Sequence, residues 1–294
     1  MNLTLASVLS FLTPWKFSPA VAIVCGGALI IYTRGVLDRY QSGERPGLLG
    51  ITTFVAGVMS IYVVMQTRLD YWSLHSFWMH RVQHGVLHHA GPFLVALSAP
   101  AATLIRGTPQ VLRRKIIVPL WNAPGVQNIY FFIQRPVIAT IIFIGLMGYW
   151  LMPSHQFQAM LSDAHYHAMN WGILAEGLLF WWMMLEPSHK GANGTPGYGL
   201  CILLQWVVIM ALIAMGFYIV YSETTLYPVY AICGQLWPIS PMTDQEWGGM
   251  ITWMPTSVIS ILAAVILISR WMRESEQREN AGSVPNYKRT GINN

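Results

Sequence analysis

The chain has 294 residues, of which 54% are hydrophobic and only 10% charged. Soluble domains carry about a quarter charged residues, so this composition excludes a soluble globular protein and points to the bilayer. The formal net charge of +5 would suggest nucleic acid in a soluble protein, but here the basic residues gather in short connections between apolar runs, so nucleic acid is not an expected partner. Cys25, Cys201 and Cys233 form no C-x-x-C and imply neither a disulfide framework nor a thiolate cluster. Cys233 has the option of pairing between chains, with inert packing as the plainer expectation.

In chain order, the apolar stretch Leu3–Leu12 has no basic region ahead of it, so no cleaved signal peptide is expected. Seven segments then approach the length of about 20 residues needed to cross a bilayer. They are Phe17–Tyr32, Leu48–Gln66, Leu74–Ser98, Pro136–Leu151, Ala164–Leu185, Leu200–Tyr221 and Gly249–Trp271. Backbone polar groups in lipid must be satisfied internally, and apolar runs without alternation satisfy them as helices. The expectation is an all-α polytopic bundle of seven transmembrane helices, residues 1–272, with a polar and disordered cytoplasmic tail at 273–294. Ile116–Phe132, broken by Pro119 and Pro124, reads as an interfacial segment rather than an eighth span. Asn193–Gly199 reads as a flexible turn.

Of the 17 Lys and Arg, all but Lys16, Arg68 and Arg81 fall in Arg34–Arg45, Arg106–Arg135, Glu186–Gly199 and the tail from Arg270. The positive-inside rule therefore puts the N-terminus outside and the C-terminus in the cytoplasm of a multi-pass protein of the cell's inner, or plasma, membrane. With that orientation His75, His80, His84, His155, His165, His167 and Asp244 gather in the outer half, where a functional site is expected. His88, His89 and His189 lie deeper.

His80, His84 and His88 recur every four residues, which sets them on one helical stripe. An ionisable group inside a span costs about 2.5–3.5 kcal/mol at the helix centre, so it rarely lacks a role. His80 and His84 are about 6 Å apart along the axis, the spacing of two imidazoles that share one ion. His88 is too far along to join them and suits a second site, a proton path or packing. On the fifth span, His165 and Met169 share a stripe with Glu176, and His167 lies on another. Glu176 is expected to pair, with Arg81 as one candidate partner, or to stay protonated. Thioethers such as Met169 and Met250, with imidazoles, suit Cu(I), while each methionine singly also serves as packing. No phosphate-cradling loop, nucleophile elbow or H-E-x-x-H motif occurs, and no enzymatic activity is expected.

The runs His80–Arg81–Val82–Gln83–His84 with Ala99–Pro100, Gly177–Trp182, Leu226–Tyr230 and Asp244–Gln245 with Gly248, Gly249, Trp253 and Pro255 resemble the multispan CtaG family of cytochrome c oxidase assembly factors. The resemblance implies a seven-span protein that assists maturation of haem-copper oxidases, with a part in delivering copper. It carries the family's paired histidines onto His80 and His84 and its acidic-glutamine loop onto Asp244 and Gln245. Many members show histidines where Tyr166 and Asn170 stand here, whereas this chain offers His165 and His167.

The resulting expectation is a copper ion held by His80 and His84, completed by His165 or His167 with Met169 or Met250. Asp244 would sit at the mouth, and the metal would pass to an oxidase subunit or a soluble copper chaperone. An open ligand set suits a carrier, and affinity should fall below about pH 6.5 as imidazoles protonate. The alternatives left open are a haem b redox protein with axial histidines, a metal-free assembly scaffold, and a transporter using His88, His89 and Glu176.

Overall fold

The computed structural model describes residues 13–185, 197–232, 234 and 236–282. Every regular element among them is helical, with no strand. Cys233, His189 and most of the Asn193–Gly199 turn lie outside the described residues.

The apolar runs form helices α1 (Pro19–Gln41) and α2 (Leu48–Gln66), followed by a short amphipathic turn of helix, α3 (Arg68–His75). Thr67 caps α3 by accepting from the Leu69 amide, which satisfies one of the four amide donors a helix start leaves orphaned. Phe77–His84, a π turn at Gly85–Ala90 and Gly91–Leu97 run on as α4 (Phe77–Leu97). At its end Ala99 takes a positive φ of 47°, a left-handed conformation that turns the chain, and Pro100 prevents the helix from resuming in line. The next helix, α5 (Ala101–Gly107), leaves at 80° to α4.

Residues 110–121 are short helical turns without a buried side chain, and α6 (Val126–Ile133) meets α7 (Pro136–Leu151) at another 80° bend. From Gln110 on, the stretch between the two bends is thus a series of short helices whose side chains are not buried. Beyond α7 come α8 (Pro153–Leu161), α9 (Asp163–Leu185), α10 (Tyr198–Val220), a single turn α11 (Val229–Ile232) and α12 (Pro241–Gly282).

Helices occupy all seven segments expected to span. By length and apolarity, however, four helices among the described residues are able to cross a membrane, or six if each bent pair counts as one. The remaining one, α9, has 23 residues, about 34 Å at 1.5 Å per residue and so long enough, but Asn170, Glu176 and three histidine or acidic residues at its start dilute its apolarity. The tail also differs from expectation. Its first part, through Gly282, continues α12 as helix, because Arg273–Gly282 contains no proline and has good helix formers such as Glu and Arg.

Two packing features position the site. A Cβ on Gly57 would stand 2.9 Å from the Gly91 carbonyl, and one on Gly177 would stand 2.7 Å from the His88 carbonyl. α2 and α9 thus approach the π turn of α4 from two sides, closer than a side chain at either position allows. α4 is thereby the central helix, with the Phe77, Phe143, Phe180 and Trp181 cluster on one side and Phe54, Ile61, Leu87, Met169 and Ile173 on the other.

Candidate metal centre and its surroundings

His80, Arg81, Gln83 and His84 lie in the first two turns of α4 and are all buried. What holds that turn is Asp244, reached from α12: its carboxylate accepts from the Phe77 amide at 2.9 Å, the Trp78 amide at 2.9 Å and the Ser76 hydroxyl at 2.8 Å. Asp244 therefore caps the N-terminus of α4, where orphan amides and the helix dipole favour an anion. It is 3% exposed, so it does not stand at a solvent-facing mouth as expected. Gln245 is equally buried, accepting from the Leu226 amide at 2.6 Å and donating to the carbonyls of Ile219 and Thr224 at 3.2 Å each. The Asp-Gln pair is a staple between α12, the start of α4 and the loop after α10.

The rings of His80 and His84 have centroids 4.3 Å apart. Their hydrogen bonds fix opposite tautomers. His80 Nδ1 lies 3.3 Å from the Ser73 carbonyl; a carbonyl only accepts, so Nδ1 carries the hydrogen and Nε2 keeps its lone pair. His84 Nδ1 lies 3.1 Å from an Arg81 Nη2; a guanidinium only donates, so this Nδ1 is the lone pair and Nε2 carries the hydrogen. Both Nε2 atoms are buried without a partner.

Arg81 is 2% exposed, with no carboxylate paired to it among the described residues. Its other contacts are Met147 Sδ at 3.9 Å and the Phe77 ring, whose centroid is 5.2 Å away. The expected Arg81–Glu176 pairing is absent because Glu176 Oε2 is bonded to His88 Nε2 at 2.8 Å. The π turn explains the exchange: its wider winding breaks the four-residue stripe after His84, so His88 faces α9. There its ring stacks on Phe143 with centroids 3.8 Å apart, and its carbonyl accepts from Trp181 Nε1 at 3.1 Å. The run Gly177–Trp182 thus forms the seat of the π turn. His89, both of whose ring nitrogens are unpartnered, is buried beside it.

On α9 the inward face is Tyr166, Met169, Asn170 and Ile173, while His165 and His167 are on the exposed face. His165 bonds Ser162 at 3.0 Å. Among the described residues no group of three His, Cys, Asp or Glu side chains is arranged to hold a metal ion, so neither His165 nor His167 joins the His80–His84 pair. Met169 is fully buried on the Tyr166 face, and Met250 is half-buried on α12. The Arg81 guanidinium meets the thioether of Met147, a residue the sequence did not single out.

Sequence reasoning also missed the polar network outside the pair. The Tyr166 hydroxyl lies 2.7 Å from Asp70 Oδ1, 2.9 Å from Ser73 Oγ and 3.1 Å from Gln83 Oε1, and Gln83 donates to Asp70 at 2.9 Å. Burial pushes the Asp70 carboxyl above its ordinary range, while bonds from Tyr166, Trp15 and Gln83 hold it down. The signal available was Asp70 itself, the acidic residue nearest His75 in a connection otherwise short of charge.

As a test of fit for copper, the pair presents one imidazole with its lone pair ready, His80, and one whose bond to Arg81 holds the other tautomer. The donors of the pair are imidazole nitrogens, a borderline type that copper takes. The buried guanidinium repels a cation, so the arrangement suits loose, exchangeable holding. Two rings 4.3 Å apart leave no room for a porphyrin between them, so this pair does not clasp a haem.

A family model described as the cytochrome c oxidase caa3 assembly factor family (Caa3_CtaG) matches residues 30–274. The chain belongs to this family. The match takes in the His80–His84 turn, the Gly177–Trp182 seat and the Asp244–Gln245 staple. Two curated relatives, an uncharacterized protein of Mycobacterium bovis and one of Mycobacterium tuberculosis, are each 22% identical over 290 residues, covering 90% of this chain. The chain spans only 40% of the length of either relative. No solved structure matches.

Proposed function

We propose that this Caa3_CtaG protein is a non-catalytic assembly factor of cytochrome c oxidase that holds copper at His80 and His84 and passes it to an oxidase subunit. The observation that carries the reading is the pair of adjacent buried imidazoles in which the lone pair of His80 Nε2 is unpartnered, in a chain of an oxidase-assembly family. His80 receives the ion with its free lone pair. His84 joins when Arg81 withdraws from Nδ1, and Arg81 returning to His84 releases the cargo. Ligand exchange of this kind breaks no covalent bond of the protein and needs no activated nucleophile. The copper arrives on the outer side of an inner, or plasma, membrane crossed seven times, with the N-terminus outside. A soluble copper chaperone is the expected donor or recipient beside the oxidase subunit.

The test is replacement of the chromosomal copy by His80→Ala/His84→Ala in a host that needs its caa3-type oxidase. The reading expects oxidase that retains haem but is depleted of copper, restored by excess copper in the medium. Full copper occupancy in the double variant would leave the metal-free scaffold as the function.

A further inference from the structure

A cavity of about 220 Å³ opens beside the start of α1 and is lined by Lys16, Ser18, Met65, Asp70, Tyr166, His167 and Asn170, among others. We infer that this vestibule is the loading port through which a soft monovalent cation reaches the His80–His84 pair. This rests on the copper reading above and adds its route.

Three independent observations converge. The lining offers a thioether, Met65, and an imidazole, His167; sulfur and imidazole donors are those Cu(I) prefers. The charge is right for a cation, because Lys16 is paired with Asp163 at 3.3 Å, which leaves the carboxylate of Asp70, whose partners Trp15, Tyr166 and Gln83 are neutral. The floor leads to the pair: Asn170 lies against His84, and the Tyr166 ring is 6.1 Å from the His80 ring. Asn170 and Tyr166 thus form the partition between port and pair. The cation lands on Met65 and His167 and crosses at Asn170.

A port differs from a storage site in that removing it slows loading without changing the final affinity. The experiment uses the purified full chain in nanodiscs, mixed by stopped flow with Cu(I) bicinchoninate, and compares wild type, Met65→Leu/His167→Ala and His80→Ala. His167 is exposed and Met to Leu conserves volume, so the double variant keeps the fold. The loading rate of the double variant should fall by about tenfold or more, with equilibrium affinity within about twofold of wild type. His80→Ala should lose affinity by about a hundredfold. Wild-type loading in the double variant, with His80-dependent binding intact, would overturn the port and leave the copper reading standing. Loss of affinity in the double variant equal to that of His80→Ala would make the vestibule the storage site and also overturn the route. Absence of His80-dependent binding in wild type would defeat the copper reading, and the port with it.

Discussion

At the scale of single residues, the identity of the hydrogen-bond partner decides what each buried group is able to do. Arg81 has no carboxylate partner among the described residues and takes the lone pair of His84 Nδ1 instead, so the guanidinium and a metal compete for the same imidazole. Arg81→Met removes both the competitor and the repelling charge, and copper affinity should rise by about tenfold, measured by competition with a chromophoric chelator. A fall in affinity would mean that Arg81 holds the pair together instead. Asp244 was legible as important from its place in a family-like run, but its role was not. A carboxylate at a helix start and a carboxylate at a cavity mouth look the same in sequence, and only the position of the Phe77 and Trp78 amides separates them. Asp244→Ala leaves those amides buried and unpaired, a loss of about 2–4 kcal/mol, which should appear as a lowered denaturation midpoint in detergent. Glu176 was marked as a group that pairs or stays protonated; it bonds His88, a partner that was not legible because the π turn that rotates His88 toward α9 leaves no trace in a four-residue periodicity.

At the scale of elements, apolar length marked the helical segments closely, since Leu48–Gln66 and Pro136–Leu151 begin and end where expected. Bends were harder to see. Ala99 spends its positive φ at a cost of about 1–2 kcal/mol for a residue with a Cβ, and Ala99→Gly should recover part of it as a higher melting temperature. The connection between α1 and α2 shows how charge ties elements together. Glu44 accepts from Arg39 Nε at 2.9 Å and from Arg106 Nη2 at 2.5 Å, so the basic bend after α4 is clipped to α1. These two bonds hold the Glu44 carboxyl below its ordinary value of 4.5. A depressed carboxyl stabilises the fold above its unfolded-state value and loses that contribution as pH falls through the folded-state value. Wild type should therefore lose stability below about pH 4.5, and Glu44→Gln should lack that share of the loss when melting is followed from pH 7 to pH 4.

For the whole molecule, α12 runs to 42 residues, about 63 Å and twice the hydrocarbon thickness of about 30 Å. It must extend beyond the bilayer at one end. The basic run from Arg270 makes that end cytoplasmic under the proposed topology. In a cysteine-free background, a cysteine at exposed Ser154 should be labelled by an impermeant maleimide in intact spheroplasts, and one at exposed Ser42 only after permeabilisation. The reverse pattern would invert the topology and place the His80–His84 pair toward the cytoplasm. Membrane class and the helical character of the apolar segments were legible because lipid imposes length and apolarity on the sequence; the count of spans was not, since four helices, or six with the bent pairs, have the length and apolarity to cross among the described residues. The pairing of α4 with Tyr166 and Asn170, rather than with His165 and His167, was not legible. Adjacent histidines on a helix point about 100° per residue apart, and which of them faces inward is decided by packing that composition does not encode.

The central claim is that the two imidazoles of α4 hold copper, and elemental analysis of the purified full chain, loaded with Cu(I) and freed of excess, tests it most directly. One copper per chain in wild type, and none in His80→Ala/His84→Ala at unchanged melting temperature, is the predicted result. Equal copper in both proteins, or none in either, would contradict it.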